Sequence, residues 1–168
     1  MTYPAQAIDQ AFKLLPAKMD SRQARIVHAA IGYQESKFLS RKQIVTVNRD
    51  GRRVNVPEGP ANGFWQFESG GGVKGVMNFK FSGMPDLARR VCHECGVPFV
   101  QDQVWQALAV DDVLAAAFSR LLMYTDAAPL PKTESEAWAM YARTWRPGKP
   151  HPEAWGDAWA FATKSVDA

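Results

Sequence analysis

Long apolar segments are missing from this sequence of 168 residues, and their absence excludes several classes of protein. No uninterrupted apolar run approaches the roughly 20 residues that cross a bilayer, so we expect no membrane span. The opening residues, Met-Thr-Tyr-Pro, lack the basic and apolar regions of a secretory signal peptide. Internal repeats and low-complexity tracts are also missing. A composition of 46% apolar and 22% charged residues therefore predicts one globular domain over residues 1–168.

Cysteine is scarce, and its pattern does not favour a metal or redox site. Cys92 and Cys95 are the two cysteines, and they flank His93 and Glu94. Zinc takes four ligands in a structural site, and the sequence has no second Cys or His pair at matching spacing. A redox Cys-x-x-Cys would lie beside a βαβ pattern, which is also lacking. We therefore expect no metal, no cofactor and two packed or half-exposed thiols.

Charge is unevenly distributed along the chain, although the net charge is only +3. Residues 18–53 contain nine basic and three acidic side chains, whereas residues 101–168 contain nine acidic and six basic ones. The first region could present a positive surface to an anionic polymer such as bacterial wall or nucleic acid. An ordinary solvated face explains it equally well. The region has no recognisable nucleic-acid-reading motif, so nucleic acid is not an expected partner.

The functional hypothesis depends on a predicted helix near the amino terminus. Asp20 and Gln23 have the spacing of a capping pair, so the helix should begin near Ser21. Apolar residues then recur at helical spacing, which predicts one buried face. They are Ile26, Val27, Ala30, Ile31 and Phe38.

Glu35 falls on this apolar face. It follows Val27 and Ile31 at intervals of four residues, which puts the three side chains on one side of the helix. Burial disfavours the charged form of a carboxyl group and raises its pKa, which suits a general acid near neutral pH. The alternative is a glutamate that turns out to solvent and pairs with Lys37 or Arg41.

A β-hairpin is predicted after this helix. Residues 44–48 and 53–56 are rich in β-branched side chains, and Asp50-Gly51 between them is a strong hairpin-turn signal. Pro57 ends the second run. The hairpin therefore separates the helix from the aromatic segment that follows.

The segment from Gly63 to Phe67 has a composition suited to sugar recognition. Phe64 and Trp65 are predicted to stack on the apolar faces of sugar rings. The amide of Gln66 can both donate and accept hydrogen bonds to hydroxyl groups. The segment is therefore a candidate binding surface for carbohydrate.

Periodicity and capping signals predict further helices. Their expected ranges are 4–15, a short stretch after Ser69, 85–95, 102–124 as one bent helix or two, 133–145, and a last helix from Pro152 onward. Within 133–145, the side chains of Trp138, Tyr141 and Trp145 share a face. A core stripe is the more frequent explanation of such a row, and a cleft wall is the functional alternative.

The order of these features resembles the lysozyme superfamily. Glu35-Ser36 at a helix end, a β-excursion and Gly63-x-x-Gln66 are similar to lytic transglycosylases and goose-type lysozymes. Phage virion-associated muralytic proteins carry forms close to the Gly-Pro-Ala-x-Gly-Phe-Trp-Gln-Phe-Glu of this chain. The resemblance implies an α+β, mainly α, lysozyme-like fold with a small β-hairpin beside a central helix.

The resemblance also implies roles for single residues. Glu35 would be the catalytic acid/base. The substrate-binding residues would be Ser36, Gly63, Phe64, Trp65 and Gln66. This chain has Phe-Trp where the family often has Leu-Met, so the sugar contacts would differ.

Tyr141 completes the implied site. The family often closes its cleft with a Tyr-containing helix and a Gly-rich turn, and Tyr141 followed by Trp145-Arg146-Pro147-Gly148 looks like a divergent form. Ala142 replaces the usual Asn. We expect the Tyr141 hydroxyl to hydrogen-bond near Glu35 and to contact substrate.

The implied activity is cleavage of the β-1,4 bond between N-acetylmuramic acid and N-acetylglucosamine in peptidoglycan. A lytic transglycosylase needs a single glutamate, because the sugar's own 6-hydroxyl closes a 1,6-anhydro ring. A hydrolytic lysozyme needs a second carboxylate about 5 Å away for retention or about 6.5–9.5 Å away for inversion. Asp50, Glu58 and Glu68 are the candidates, and Glu68 is the best placed. A transglycosylase is the favoured hypothesis.

A different class of function also fits the sequence. The chain could be a glycan-binding or virion structural protein that keeps the fold without catalysis. The expected partners are peptidoglycan glycan strands and, from the resemblance, other phage particle proteins. Without a signal peptide, the expected location is a phage virion, or the host cytoplasm before release to the cell wall.

Overall fold

The computed structural model describes residues 3–168, which form a mainly helical α+β fold. Helix accounts for 57% of the structure, and the described residues form eight α-helices with small antiparallel sheets. The elements are α1 (Ala5–Lys13), a 3-10 turn (Ala17–Met19), α2 (Arg22–Ser36), β1 (Val45–Arg49), β2 (Arg52–Val56), β3 (Ala61–Asn62), β4 (Phe67–Glu68), a π-helical turn (Ser69–Val73), α3 (Lys74–Met77), α4 (Met84–Glu94), α5 (Gln101–Ala107), α6 (Asp112–Tyr124), α7 (Glu134–Trp145), a 3-10 turn (Pro152–Ala154) and α8 (Trp155–Val166). The predicted α+β, mainly α class is thus confirmed.

Side-chain caps define where the long helices begin. Ser21 caps α2, because its Oγ accepts a hydrogen bond from the backbone N–H of Ala24 at 3.1 Å. The cap is therefore one residue later than the Asp20 that the spacing indicated. At α7 the predicted pair is present, with Thr133 and Glu136 bonded reciprocally as a capping box.

Helix α2 is the central helix and carries the candidate site at its carboxyl end. Ala24 and residues 26–32 are buried, so the helix is enclosed on most sides through its middle. It packs along α8, while α6 packs along α1. The helix ends at Ser36 because Lys37 adopts a left-handed backbone conformation with φ 51°. This ending leaves Glu35 on the last turn, at the edge of the core.

The predicted hairpin is present in β1 and β2. The strands pair antiparallel, and Arg49 lies opposite Arg52 across the turn. Asp50 and Gly51 occupy the turn with φ of 52° and 75°, the left-handed pair that a two-residue hairpin of this hand requires. The Asp-Gly signal therefore fixed both the turn and the register.

The aromatic segment lies inside the molecule and not on its surface. Phe64, Trp65 and Phe67 are at most 4% exposed. Gly63 makes this possible, because its φ is 76° and a Cβ there would lie 2.9 Å from the carbonyl oxygen of Leu108. The chain therefore turns at Gly63 and directs its aromatic rings into the core. Within residues 3–168, no helix has the length and apolar character of a membrane-spanning segment.

Candidate active site at the carboxyl end of α2

A cleft of about 1170 Å³ opens at the end of α2. Its walls include the last turn of α2, the segment from Gln66 to Gly75, residues 122–126 at the end of α6, the carboxyl-terminal half of α7, and residues 146–151. The predicted site residues Glu35, Gln66 and Tyr141 all line it. The fold therefore brings together three side chains that are up to 106 positions apart in the sequence.

Glu35 lies half-buried in this cleft and has a strongly shifted pKa. Removal from water raises the pKa of its carboxyl group from 4.5 to about 7, although the hydrogen bond from Tyr141 acts in the opposite direction. The side chain does not turn out to pair with Lys37 or Arg41, and Arg41 instead binds Asp112 at 2.7 Å. Near neutral pH the carboxyl group is therefore present in both protonation states.

Tyr141 is the hydrogen-bond donor to Glu35. Its hydroxyl donates to Glu35 Oε1 at 2.6 Å, which confirms the predicted contact between the two residues. Burial and the neighbouring carboxyl raise the pKa of Tyr141 above its usual value, so the phenol keeps its proton. Because a donor stabilises the charged form of its acceptor, Tyr141 favours the carboxylate of Glu35.

The aromatic row on α7 serves both as core and as cleft wall. Tyr141 stacks on Trp155 of α8, with ring centroids 5.4 Å apart and an interplanar angle of 17°. The ring centroid of Trp138 lies 5.4 Å from that of Tyr141, and the ring centroid of Trp145 lies 6.3 Å from it. Trp145 also lines the cleft. These rings fix the phenol in position, so its hydroxyl is directed at Glu35 by packing.

Gln66 is the third predicted site residue that lines the cleft. Its backbone has φ 52°, and its Nε2 donates to the carbonyl oxygen of Gly63 at 2.8 Å. Within residues 3–168 its Oε1 accepts no hydrogen bond. The amide oxygen is thus oriented and available to a ligand, and its role in binding sugar stays a prediction.

The prediction that Phe64 and Trp65 stack on sugar rings is wrong. Trp65 is 0% exposed and Phe64 is 4% exposed, so neither ring reaches a ligand. The indole of Trp65 donates to the carbonyl oxygen of His28 at 2.9 Å, and the guanidinium of Arg41 lies 4.5 Å from the centroid of Phe64. Large apolar rings beside a tight turn were better accommodated by the core than by the surface.

Ser36 and Gly63 position the backbone and do not belong to the lining of the cleft. The Ser36 hydroxyl lies 2.7 Å from the carbonyl oxygen of Phe64 and 3.2 Å from that of Gly32, and it accepts from the N–H of Phe38. Ser36 therefore joins the end of α2 to the aromatic segment. Direct contact of either residue with substrate is not supported by this arrangement.

The candidate second carboxylates differ in their surroundings. Asp50 occupies the hairpin turn, and Glu58 forms an ion pair with Arg49 at 2.5 Å. Glu68 is exposed and lines the cleft. Asp126 also lines it but is held by two hydrogen bonds from Arg143.

A basic segment of the cleft wall was not singled out from the sequence. Arg143, Arg146, Lys149 and His151 all line the cleft on the side of α7. The sequence signal for them is the run Trp145-Arg146-Pro147-Gly148 with Lys149 and His151 directly after it. The resemblance to the family motif did not predict that this wall of the cleft is positively charged.

The Cys-His-Glu-Cys run lies away from this cleft. Cys92 is buried and Cys95 is half-buried, and both are free thiols. Burial raises the pKa of Cys92 to about 11 and that of Cys95 to about 12, so neither is a thiolate near neutral pH. Within the described residues, no group of three or more His, Cys, Asp or Glu side chains could hold a metal ion.

Comparison of the chain with protein-family models, curated proteins and solved structures found no match. Any functional conclusion therefore depends on the residues of the cleft and on the resemblance in short motifs.

Proposed function

We propose that this chain is a peptidoglycan lytic transglycosylase with a lysozyme-like fold, in which Glu35 acts first as acid and then as base. The bond cleaved would be the β-1,4 linkage between N-acetylmuramic acid and N-acetylglucosamine. The observation that carries the proposal is a half-buried carboxyl group with a pKa near 7 in an open cleft. General acids are tuned in this way, so that the proton is still held near the working pH.

The first step uses the protonated form of Glu35. Its proton passes to the oxygen that bridges the two sugars, and the bond between that oxygen and C1 of N-acetylmuramic acid breaks. The bonding electrons leave with the oxygen, and positive charge develops at C1. Glu35 is left as a carboxylate, which the Tyr141 hydroxyl stabilises through its 2.6 Å hydrogen bond.

The second step uses that carboxylate as a base. It takes the proton of the 6-hydroxyl of the same sugar while the hydroxyl oxygen attacks C1. A 1,6-anhydro ring closes, and Glu35 returns to its protonated form. The sum consumes no water and needs no second carboxylate.

Other residues support this proposal through their position. Gln66 offers an oriented amide oxygen to the cleft, and a glycine-rich segment (Gly70, Gly71, Gly72 and Gly75) lines the wall beside it. The expected partners are glycan strands of the cell wall. From the motif resemblance, we extend the proposal to delivery by a phage particle, with other virion proteins as partners.

A hydrolytic lysozyme is the second candidate, because Glu68 also lines the cleft. In that case Glu68 would activate water or attack C1, and products would carry reducing ends. A glycan-binding or structural protein would give no products. Product chemistry therefore distinguishes the three functions.

The test is mass spectrometry of peptidoglycan after incubation with the protein. We expect 1,6-anhydro ends, loss of about 10³-fold or more in rate for Glu35→Gln, and a near-normal rate for the matched variant Glu68→Gln. Reducing ends, with Glu68→Gln as inactive as Glu35→Gln, would replace the transglycosylase by a hydrolase. No products from the folded wild-type protein would end the enzymatic proposal.

A further inference from the structure

On the cationic side of the cleft, two of the four basic side chains form no ion pair with any acidic side chain of the described residues. Arg143 is paired with Asp126 at 2.7 Å, and His151 lies 2.9 Å from Glu153. By contrast, no acidic side chain among residues 3–168 lies within ion-pair distance of Arg146 or Lys149. Both line the cleft and both are exposed.

Arg146 has a backbone conformation that favours glycine. It ends α7 with φ 49° and ψ 54°, and helices that end in this left-handed conformation usually carry Gly there. An arginine at such a position is strained by its Cβ. Its Nε donates to the carbonyl oxygen of Arg143 at 3.2 Å, which directs the rest of the guanidinium group. The chain thus has an arginine at a position where the backbone conformation favours glycine.

The loop that carries these cations is held at both ends. The indole of Trp145 donates to the carbonyl oxygen of Trp65 at 2.9 Å. At the other end, Nε2 of Gln34 donates to the carbonyl oxygen of His151 at 3.1 Å. Because Gln34 precedes Glu35, the second bond fixes the loop beside the proposed catalytic carboxyl group. The backbone that carries the two cations is therefore positioned relative to Glu35.

We propose that Arg146 and Lys149 form a subsite for the carboxylates of the peptide stems that peptidoglycan carries. This inference rests on the proposed function and deepens it. In intact peptidoglycan the lactyl carboxyl group of each N-acetylmuramic acid is bound in an amide to its stem, so the backbone is uncharged and the carboxylates belong to the stems. Stem peptides hang from N-acetylmuramic acid and bear free carboxylates. The preferred substrate is therefore peptide-bearing glycan, and the guanidinium and ammonium groups select it.

A purely structural role for Arg146 is the competing explanation, because cations are favourable at helix carboxyl ends. Lys37 supplies a matched control. It is an exposed cation that ends α2 with φ 51°, and it does not line the cleft. Replacement of either residue by glycine removes the same charge at the same kind of helix end and relieves the same backbone strain.

The experiment measures binding of soluble glycan strands whose stems bear free carboxylates and of the same strands after conversion of those carboxylates to neutral amides. Both are titrated into protein carrying Glu35→Gln, so that no turnover occurs. We expect Arg146→Gly to weaken binding of the strand with free stem carboxylates about fivefold, and addition of Lys149→Gln to weaken it about tenfold in total. The loss should shrink in 0.5 M salt, and affinity for the strand with amidated stems should not change.

The control makes the outcomes distinct. Both glycine variants should raise Tm, but Lys37→Gly should leave binding of either strand unaltered. Equal affinity of the protein carrying Glu35→Gln alone for both strands, or an equal loss of affinity for both after Arg146→Gly, would overturn the subsite.

Failure of the proposed function would look different. Tighter binding of strands with free stem carboxylates that depends on Arg146 supports the subsite even if the wild-type protein forms no products. Anhydro products formed equally from both strands by the wild-type and Arg146→Gly proteins would uphold the activity and reject the subsite.

Discussion

Two titratable side chains on α2 experience burial in different surroundings. His28 lies in the middle of the helix and is 0% exposed. Removal from water lowers the pKa of its imidazole to about 3, with Arg120 and Arg25 adding to the effect and the hydrogen bond to Ala116 opposing it. Glu35 lies two turns later, and burial raises the pKa of its carboxyl to about 7. In both cases burial favours the neutral form.

The two sites differ in access. His28 lies against the ring of Trp65 at 4.4 Å, and its Nε2 donates to the carbonyl oxygen of Ala116 at 3.0 Å. Glu35 instead borders a cleft of about 1170 Å³. A shifted pKa alone therefore does not identify a functional group, because His28 is shifted further than Glu35. The combination of a shifted pKa with an opening to solvent singles out Glu35.

The comparison also predicts opposite effects on stability. The folded-state pKa of His28 is below its unfolded value of about 6.5, so its contribution is complete above pH 6.5 and is lost as pH falls toward 3. The folded-state pKa of Glu35 is above its unfolded value of about 4.5, so stability falls as pH rises from 4.5 and the loss is complete above 7. Between pH 4.5 and 6.5 the two effects oppose each other.

The largest expected effect is that of His28→Ala. Loss of the buried ring leaves a cavity beside Trp65 and should lower the free energy of unfolding by about 3 kcal/mol at pH 7. Near pH 4 the difference should shrink by at least half, because the wild-type protein has lost much of the contribution there. Urea unfolding at both pH values measures it. The variant should keep most of its activity per folded molecule. A loss of activity as severe as that of Glu35→Gln would contradict the assignment of a structural role to His28.

A smaller effect of the opposite sign is expected for Glu35→Gln. The amide carries no charge to desolvate, so the free energy of unfolding should rise by about 2 kcal/mol at pH 8. At pH 4 the gain should vanish, because wild-type Glu35 is then protonated in both states. Chemical denaturation of the two proteins at each pH measures the gain. An equal gain at both pH values would mean that burial of charge is not its source.

The smallest effect is expected for Tyr141→Phe, which keeps the stacked ring and removes only the hydroxyl donor. Because that donor favours the carboxylate, its loss should raise the titration midpoint of Glu35 by about one pH unit. The alkaline limb of the activity profile should move in the same direction. A downward shift would show that Tyr141 does not stabilise the charged form.

Local signals in the sequence predicted most of the helices and the hairpin. The Asp50-Gly51 turn and the Thr133–Glu136 capping box depend on neighbouring residues only, and both are present. The position of Glu35 on the inner side of α2 also follows from helical spacing with Val27. These features could be predicted because the residues that determine each of them lie close together in the sequence.

Features that depend on tertiary packing could not be predicted from the sequence. Phe64 and Trp65 have the composition of a sugar platform, but Gly63 turns them toward α2 and the core. The sequence does not say on which side of a turn a ring will pack. Likewise, the sequence could not show that Arg146 and Lys149 both line the cleft, or that neither forms an ion pair with an acidic side chain among residues 3–168.

The most direct test of the account is a titration of the Glu35 carboxyl by ¹³C NMR in the folded wild-type protein, with Glu35→Gln used to assign the signal. We predict a midpoint near pH 7, set by burial beside the cleft. A midpoint near 4.5, the value of an exposed glutamate, would contradict the proposal that this group carries a proton at neutral pH and cleaves glycan.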